Sequence, residues 1–411
     1  MRISFNMQFG QSLNGILDAQ KRMSRAEEQL VKQTRILSPA DDPAASAKVL
    51  GLDQNLAQIE QFQKNSVLLK NNLALEETVL TNMRTAYDRI STLAQAAGNG
   101  TYSAAERESL ALELKNIQAE MLDAMNTKNA DGSYIFSGFQ DKATPYVKDP
   151  VTGEFSFQGD DGFRALQISA SITMPGNDSG KSIFDDVFAR LKPSPAAIIS
   201  GGATSASVDI SEQDKFNSFY IKSYDGLVAA NNTYNISIDA ASNYQILQNG
   251  SPLSPAVAGA FVPGNPINFQ GLAIKINGAA AAPGQINFSL PAPEKKNILN
   301  TLTDFINVLE DPLALSNAIT ESIADALAQT EAGSRRIDST LSNLGGRNNV
   351  LNSVFNNNED LTIKNKEYRA DLSEVDFAAA MTEIKRQEVA MQAASTTFGK
   401  ISATTLFDYI R

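Results

Sequence analysis

The chain contains no histidine and no cysteine. Without these residues it cannot build a Ser-His-Asp or Cys-His triad, a zinc or iron site with His or Cys ligands, or a disulfide. Any catalysis would have to rest on carboxylates, Lys, Tyr or Ser alone. We therefore expect the chain not to be an enzyme and to bind no cofactor or metal.

Long apolar runs and a basic surplus are also missing. No stretch of 18 apolar residues occurs, and the first residues, MRISFNMQFG, lack the charged and then apolar regions of a cleaved signal peptide. The 35 basic and 46 acidic residues give a net charge of −11. This balance argues against nucleic acid and anionic membranes as partners, and we expect neither a membrane span nor ordinary secretion.

Proline and glycine are scarce outside the middle of the chain. Residues 141–294 hold 12 of the 15 prolines and 14 of the 25 glycines. Both residues are unfavourable inside helices and frequent in turns. A chain of 411 residues is also longer than a single hydrophobic core usually stabilises. The sequence thus predicts two helical arms around an irregular or β-rich insert.

The N-terminal arm carries heptad patterns. A weak seam of alternating four- and three-residue steps runs Ile16, Gln20, Met23, Glu27, Leu30, Thr34 and Leu37. Asp42 and Pro43 are typical of a helix start, and the helix that follows has a stronger seam: Phe62, Ser66, Leu69, Leu73, Glu76, Leu80, Met83, Tyr87, Ile90 and Ala94. GNGTY at 98–102 ends it. Ser103 and Glu106 then predict a capping box that opens a third helix, antiparallel to the second.

The insert shows the period of half-buried strands. Tyr234, Ile236 and Ile238 alternate with polar residues, and similar alternation recurs near 267–276 and 286–290. Several short strands at this spacing predict a small sandwich or barrel. Residues 193–206 are interpreted as a loop, whereas Tyr134–Phe136, after the Asp131-Gly132 turn, favours a strand.

The fold class is therefore mainly α with a β insert. We predict a long antiparallel coiled-coil and helical-bundle rod formed by both arms, with a central β-sandwich or barrel. The expected divisions are a terminal helix at 1–40, half of the rod at 41–140, the outer β domain at 141–294, the other half of the rod at 295–370, and a terminal helix at 371–411.

The two extreme ends have weak seams that cannot offset the entropy of ordering two helices in isolation. If many copies pack side by side, each apolar stripe meets a neighbour's. Such unpaired apolar stripes are typical of a subunit that polymerises. We expect the assembly interface to consist of the seam residues Ile16, Met23, Leu30, Leu37, Phe377, Ile384, Met391, Phe398, Ile401, Leu406, Phe407 and Ile410.

Particular motifs resemble those of a known family. The residues concerned are SPADDPAA at 38–45, DGSYIFSG at 131–138, GSRRIDSTLSNLGGRNNVL at 333–351 and the C-terminal stretch 371–411. Together they resemble the flagellin superfamily, and within it the proteins that join hook to filament rather than flagellin itself, which lacks the YIFSG step. The strand block 268–291 is also similar, with Gln285 in place of an expected Asp.

The resemblance implies a structural subunit of the bacterial flagellum. It implies a homo-oligomeric adaptor ring, with the first hook-associated protein on its proximal side and flagellin on its distal side. It also implies export through the flagellar type III apparatus to the cell exterior, and a cytosolic export chaperone that binds the C-terminal segment 371–411. The insert would serve as a spacer or a lateral contact.

Alternatives remain open at this point. A true flagellin would build the filament itself, a carboxylate-based hydrolase would need two converging acidic residues, and a type III secreted adhesin or translocator would lack matched arms. Asp41 and Asp42 are interpreted as helix caps and Asp160-Asp161 as a turn rather than a cation site. The basic surplus of the first 40 residues (Arg2, Lys21, Arg22, Arg25, Lys32 and Arg35) marks either a steering surface or a solvated helix face.

Overall fold

The structure is a computed structural model that describes residues 4–100, 102–278 and 284–403. Seven α-helices lie in these ranges: α1 (Ser4–Lys32), α2 (Pro43–Ala97), α3 (Ala104–Met125), α4 (Gln213–Ser223), α5 (Ile298–Glu310), α6 (Ser316–Ser373) and α7 (Phe377–Ala403). The helical arms and the strand-rich middle confirm the predicted fold class.

The strands all lie between α3 and α5. They are β1 (Tyr146–Lys148), β2 (Phe155–Phe157), β3 (Ala165–Gln167), β4 (Thr173–Pro175), β5 (Ala197–Ser200), β6 (Ala203–Ile210), β7 (Thr233–Ile238), β8 (Asn243–Gln248), β9 (Ser251–Ala260), β10 (Ile267–Phe269), β11 (Leu272–Gly278) and β12 (Gly284–Ser289).

The described chain divides into two compact units. Of the described residues, the first comprises 4–71, 165–174 and 346–403, and the second comprises those within 72–164 and 175–345. Helices α2 and α6 each contribute to both units.

Helix α2 begins as the sequence predicts. The Oδ1 of Asp42 accepts a hydrogen bond from the Ala45 N–H at 3.0 Å, and Pro43 is the first helical residue. All ten seam positions from Phe62 to Ala94 are buried, including the polar Ser66, whose hydroxyl donates to the Phe62 carbonyl at 2.8 Å. The four-three pattern therefore identified the buried face of this helix.

In the second unit, α3 begins with the predicted capping box. The Glu106 N–H donates to the Ser103 hydroxyl, and the Ser103 N–H donates to the Glu106 carboxylate. Across the turn, the Nε of Arg89 on α2 lies 2.7 Å from the Oε1 of Glu113 on α3, as expected for antiparallel neighbours.

Asn297 caps α5 by accepting from the Leu299 N–H at 2.8 Å. The four apolar seam residues of α5, Leu299, Leu302, Ile306 and Leu309, are all buried.

The insert forms a small sandwich within the second unit. One antiparallel sheet has the order β5-β12-β7-β8-β9 and the other has the order β10-β11-β6. The buried alternation of Tyr234, Ile236 and Ile238 in β7 is as predicted, and these side chains share one apolar core with Phe216 of α4 and Ile274 of β11. The sandwich prediction is confirmed.

Two local predictions in this region are wrong. Residues 193–206 are not only loop, because β5 pairs with β12 and β6 pairs with β11. Their Ala, Ser and Thr residues carry little apolar alternation, and pairing with distant strands overrides that weak local signal. Conversely, Tyr134 makes an isolated bridge to Lys128 and begins no strand, although Phe136 is fully buried.

In the first unit, α1 and α7 pack against each other. The antiparallel bridge between Thr34 and Glu374 joins the end of α1 to the start of α7, so the two helices run in opposite directions. The β3-β4 hairpin also belongs to this unit, where the side-chain amides of Asn65 and Asn358 donate to the carbonyls of Gln167 and Ile168 at 2.7 Å and 2.9 Å.

Candidate assembly interface

The seam between α1 and α7 buries mainly small side chains, and larger ones flank them half-buried. On α1 the buried residues are Ala19 and Ala26, flanked by half-buried Ile16, Met23 and Leu30. Gln20 and Glu27, which the sequence analysis put in the seam, are exposed. The sequence prediction was thus wrong for the seam positions between the large residues of α1. The buried residue lies three positions after each of Ile16 and Met23, and not four.

On α7 the seam follows the predicted register more closely. Ala380 and Gln387 are buried, and Ile384, Met391 and Phe398 are half-buried. Phe377 does not lie in the seam, since 66% of its surface is exposed. The side chain of Ile401 and the residues Leu406, Phe407 and Ile410 lie outside the described residues.

Beyond α1, the chain is held by a backbone network that we call the terminal joint (residues 33–42 with 372–376). The Arg35 N–H donates to the Ser373 carbonyl at 2.8 Å, and the Thr34 hydroxyl donates to the same oxygen at 3.0 Å. The Arg35 guanidinium also donates to the Leu372 carbonyl at 2.9 Å. These bonds satisfy carbonyls at the C-terminal end of α6, which have no partner within the helix.

Two carboxylates organise the same joint. Asp41 accepts from the N–H groups of Leu37 and Ser38, both at 3.0 Å, and pairs with Arg25 at 2.7 Å. Asp42 caps α2 and pairs with Arg35 at 3.1 Å. Both are helix-cap and turn acceptors, as the sequence analysis proposed, and neither is arranged with the other for acid-base chemistry.

The same contacts lower the pKa of both carboxyl groups. The pKa of Asp41 lies below its ordinary value chiefly because the Ser38 N–H donates to its carboxylate. The pKa of Asp42 is lowered by the Ala45 N–H and by its hydrogen bond with Arg35. The ionised form of each carboxylate is therefore the one that stabilises the joint.

Leu37 belongs to this joint rather than to the helical seam. It is half-buried, five residues past the end of α1. It lines a groove of about 770 Å³ whose apolar walls also include Ile36, Pro39, Pro43, Val49 and Leu50. The heptad pattern predicts a helix through Leu37. Helix α1 ends earlier because the chain turns into the terminal joint at Gln33, which has a φ of 53°.

The terminal pair leaves a second apolar surface exposed. Leu13, Leu17 and Val31 of α1 are exposed, Val31 by 83%. These residues are 4 and 14 positions apart, so at 3.6 residues per turn they share one face of the helix. On α7, Phe377 and Met381 are exposed and lie four residues apart. We call these five side chains the outer apolar stripe.

Both parts of this stripe lie on one side of the helix pair. Viewed along the chain direction of each helix, the stripe residues are displaced around the helix axis from the seam residues in the same rotational sense. In an antiparallel pair, faces rotated in the same sense from the seam lie on the same side. Sequence analysis missed this stripe because it does not follow the heptad seam.

Three of the six basic residues of this arm form ion pairs within it. Arg25 contacts Asp41, Lys32 contacts Glu28 and Arg35 contacts Asp42. Such contacts favour the interpretation of a solvated helix face over a steering surface for these three residues.

The candidate cation turn is also explained by the structure. Asp160 accepts from the N–H groups of Phe139 and Gly162, and Asp161 pairs with Lys181 at 2.8 Å. Within the described ranges, no group of three or more Asp or Glu residues is placed to hold a metal ion. No helix there has both the length and the apolar content to cross a bilayer.

Comparison with known proteins gives relatives for this arrangement. Residues 3–141 match the family described as the bacterial flagellin N-terminal helical region. Over 195 residues the chain is 31% identical to flagellar hook-associated protein 3 of Salmonella typhimurium, covering 47% of this chain and 60% of that protein. The Escherichia coli protein of the same name is 29% identical over 198 residues, again with 47% and 60% coverage. The matched stretch thus spans less than two thirds of these relatives.

Solved structures share the fold more broadly. The flagellar junction protein FlgL of Legionella pneumophila superposes with a TM-score of 0.55 and 25% identity, covering 79% of this chain and 99% of that chain. FlgL of Xanthomonas campestris gives a TM-score of 0.57 at 20% identity, covering 78% and 99%, and supports the fold alone.

These names denote structural parts of the flagellum and not enzymes. The resemblance noted in the sequence is therefore confirmed as a similarity: residues 3–141 resemble the flagellin N-terminal helical region, and the chain is similar in sequence and in fold to flagellar hook-associated protein 3.

Proposed function

We propose that this chain is the structural subunit of the hook-filament junction, and that copies of it form an adaptor ring between the hook-associated layer and the flagellin filament. The observation that carries the proposal is the outer apolar stripe, which one α1-α7 pair leaves uncovered. The names of the curated relatives support the junction role over that of flagellin, which is the alternative function.

The assembly would be driven by burial of this stripe. Covering one Leu or Val side chain contributes about 1.5–3 kcal/mol, so a neighbour that covers all five would supply enough to offset part of the ordering entropy of the helices. The seam itself has mainly Ala in its buried positions and contributes less. The ring and the ordering of the terminal pair would then form together.

The other expected interface residues fit this proposal as a group. Ile16, Met23, Leu30, Ile384, Met391 and Phe398 would hold each pair together, while Leu37 would act from the groove of the terminal joint. Leu406, Phe407 and Ile410 supply a further apolar C-terminal segment by sequence. We assign to the segments 1–40 and 371–411 the contacts with neighbouring copies, and to 41–140 and 295–370 the rod.

The partners proposed are those of a junction. The first hook-associated protein would contact the ring on its proximal side and flagellin would add on its distal side. Before assembly, a cytosolic chaperone would cover the apolar C-terminal segment 371–411, and export through the flagellar type III apparatus would place the subunit outside the cell.

Complementation tests this function. The chain is expressed in a strain that lacks its own hook-filament junction protein, and filaments that remain attached to hooks are counted by electron microscopy. Attached filaments are expected. Long filaments grown from the purified chain alone, with no rescue of attachment, would instead identify a flagellin.

A further inference from the structure

The insert contains a stretch without charge. Residues 240–274 include no Asp, Glu, Lys or Arg, and neither do residues 193–208. In a chain with 20% charged residues, these stretches supply β8, β9 and β10 and the whole of β5. Surface strands normally carry charges, and charges on edge strands oppose pairing with other chains.

Both edges of the five-stranded sheet fall in these uncharged stretches. The sheet order places β5 at one edge and β9 at the other. Among the described strands, each edge strand pairs on one side only, with β12 or with β8, and its other side presents backbone N–H and C=O groups.

β9 has other features that oppose pairing with another chain, but they occupy only about half of the strand. Its pairing with β8 shifts between Ile246 and Leu247, so that residues 253–256 bulge from the ladder, and Pro252 and Pro255 lack an N–H to donate. After the bulge, residues 257–260 pair regularly with β8. This leaves four residues of regular, uncharged edge.

The opposite edge, β5, is also uncharged and four residues long, and a register shift leaves Ala197, Ile198 and Ser200 paired with β12 and Ile199 as an extra residue. β5 has four residues, all of them exposed, and Ile199 exposes 57% of its surface. Ile198 pairs with buried Ile286 and Val257 pairs with buried Ile246. Because side chains alternate along a strand, Ala258 points to the outer face of the sheet, and so does Ser200, which pairs with exposed Gln285.

We propose that residues 257–260 of one copy pair with β5 of the next copy in the assembled ring, so that the five-stranded sheets join edge to edge. The partner is a second copy of this chain because both edges are uncharged, equal in length and placed at opposite ends of one sheet. Such a head-to-tail contact repeats and can close into a ring. The inference rests on the proposed function, since it needs copies held side by side.

The contact is too small to act alone. Stable interfaces bury more than about 1,000 Å², and pairing two strands of four residues buries only a few hundred. The terminal helices would therefore bring the copies together, and the high effective concentration of neighbouring inserts would then favour strand pairing.

Cysteine cross-linking tests the proposal, since the native chain has no thiol. The double variant Ser200→Cys/Ala258→Cys is expressed in the complementation strain, and isolated flagella are oxidised. Directly opposite residues on neighbouring strands have Cβ atoms close enough for a disulfide. A ladder of dimers, trimers and larger multimers is expected.

The control replaces Ala258→Cys with Val151→Cys, an exposed residue in the turn after β1, and should give no ladder. Attached filaments without a ladder in the double variant would overturn the inference but leave the junction function intact. Should the cysteines themselves prevent attachment, purified double variant is oxidised at millimolar concentration, and absence of multimers above the control there also counts against the pairing. Failure of the unmodified chain to attach filaments would instead contradict the proposed function.

Discussion

The backbone N–H of Arg35 donates to the carbonyl oxygen of Ser373 at 2.8 Å. This bond joins the end of the N-terminal helix to the end of α6, immediately before α7 begins. The end of α1 and the start of α7 are therefore fixed to each other at one end of the α1-α7 pair. Among the described residues, the rest of the pair is held by a seam whose buried positions are mostly alanine.

The first prediction concerns the pH dependence of this joint. The folded pKa of Asp42 lies below its ordinary value of 3.8, so its contribution to stability is present above that value and is lost as the pH falls through the depressed folded pKa. We expect Asp42→Asn to lower the stability of the α1-α7 pair at neutral pH and to reduce its loss of stability as the pH falls below the ordinary carboxyl pKa of 3.8.

Circular dichroism during acid titration measures this effect. Asp18→Asn, which removes an exposed carboxylate from α1 without touching the joint, is the matched control. Equal acid sensitivity of the Asp42→Asn variant and the native chain would exclude Asp42 as a contributor.

A second prediction concerns two glycines of α6. A Cβ added at Gly333 would lie 2.7 Å from the hydroxyl oxygen of Tyr87, whose side chain is almost fully buried, whereas a Cβ at Gly345 would meet nothing within 4 Å. We expect Gly333→Ala to cost about 1–3 kcal/mol of unfolding free energy because the packed ring must move. Gly345→Ala should stabilise the chain by about 1 kcal/mol, because Ala is the better helix former.

Urea denaturation of both variants measures whether each substitution lowers or raises the free energy of unfolding. A Gly333→Ala variant as stable as the native chain would mean that the Tyr87 ring shifts at no cost, which contradicts close packing at this position.

A third prediction concerns local stability in the free monomer. Among the side chains that the structure describes, the seam between α1 and α7 buries only Ala19, Ala26, Ala380 and Gln387, whereas α2 buries all ten seam positions from Phe62 to Ala94. Amide hydrogens of α1 and α7 should therefore exchange much faster than those of α2. Hydrogen exchange with mass spectrometry measures this difference, and equally slow exchange throughout α1 and α7 would contradict it.

How much the sequence could predict differs between the helices. In α2, large residues occupy both alternating positions of the heptad, so only one register buries them. In α1, Ile16, Met23 and Leu30 recur every seven residues, and the intermediate seam position could fall three or four residues after each. The four-residue step selects Gln20 and Glu27, while the structure uses Ala19 and Ala26. Alanine gives a weak hydrophobic signal, and this is why the register was misassigned.

The terminal joint could be predicted only in part. The capping role of Asp42 follows from its position before Pro43, which is a local property of the sequence. The bonds of Thr34 and Arg35 to Leu372 and Ser373 depend on backbone atoms far away in the chain. No residue pattern encodes such contacts, so they become visible only once both helical arms are folded.

The outer apolar stripe provides the most direct test of assembly through the terminal helices. In the complementation strain, Leu13→Gln/Leu17→Gln is compared with Gln11→Asn/Asn14→Gln, which alters only exposed polar residues of the same helix. Both variants should melt within a few degrees of the native monomer, because none of these side chains is buried. We predict that hooks carrying the leucine variant lose their filaments while those with the control keep them. Filaments attached normally by the leucine variant would contradict assembly through this stripe.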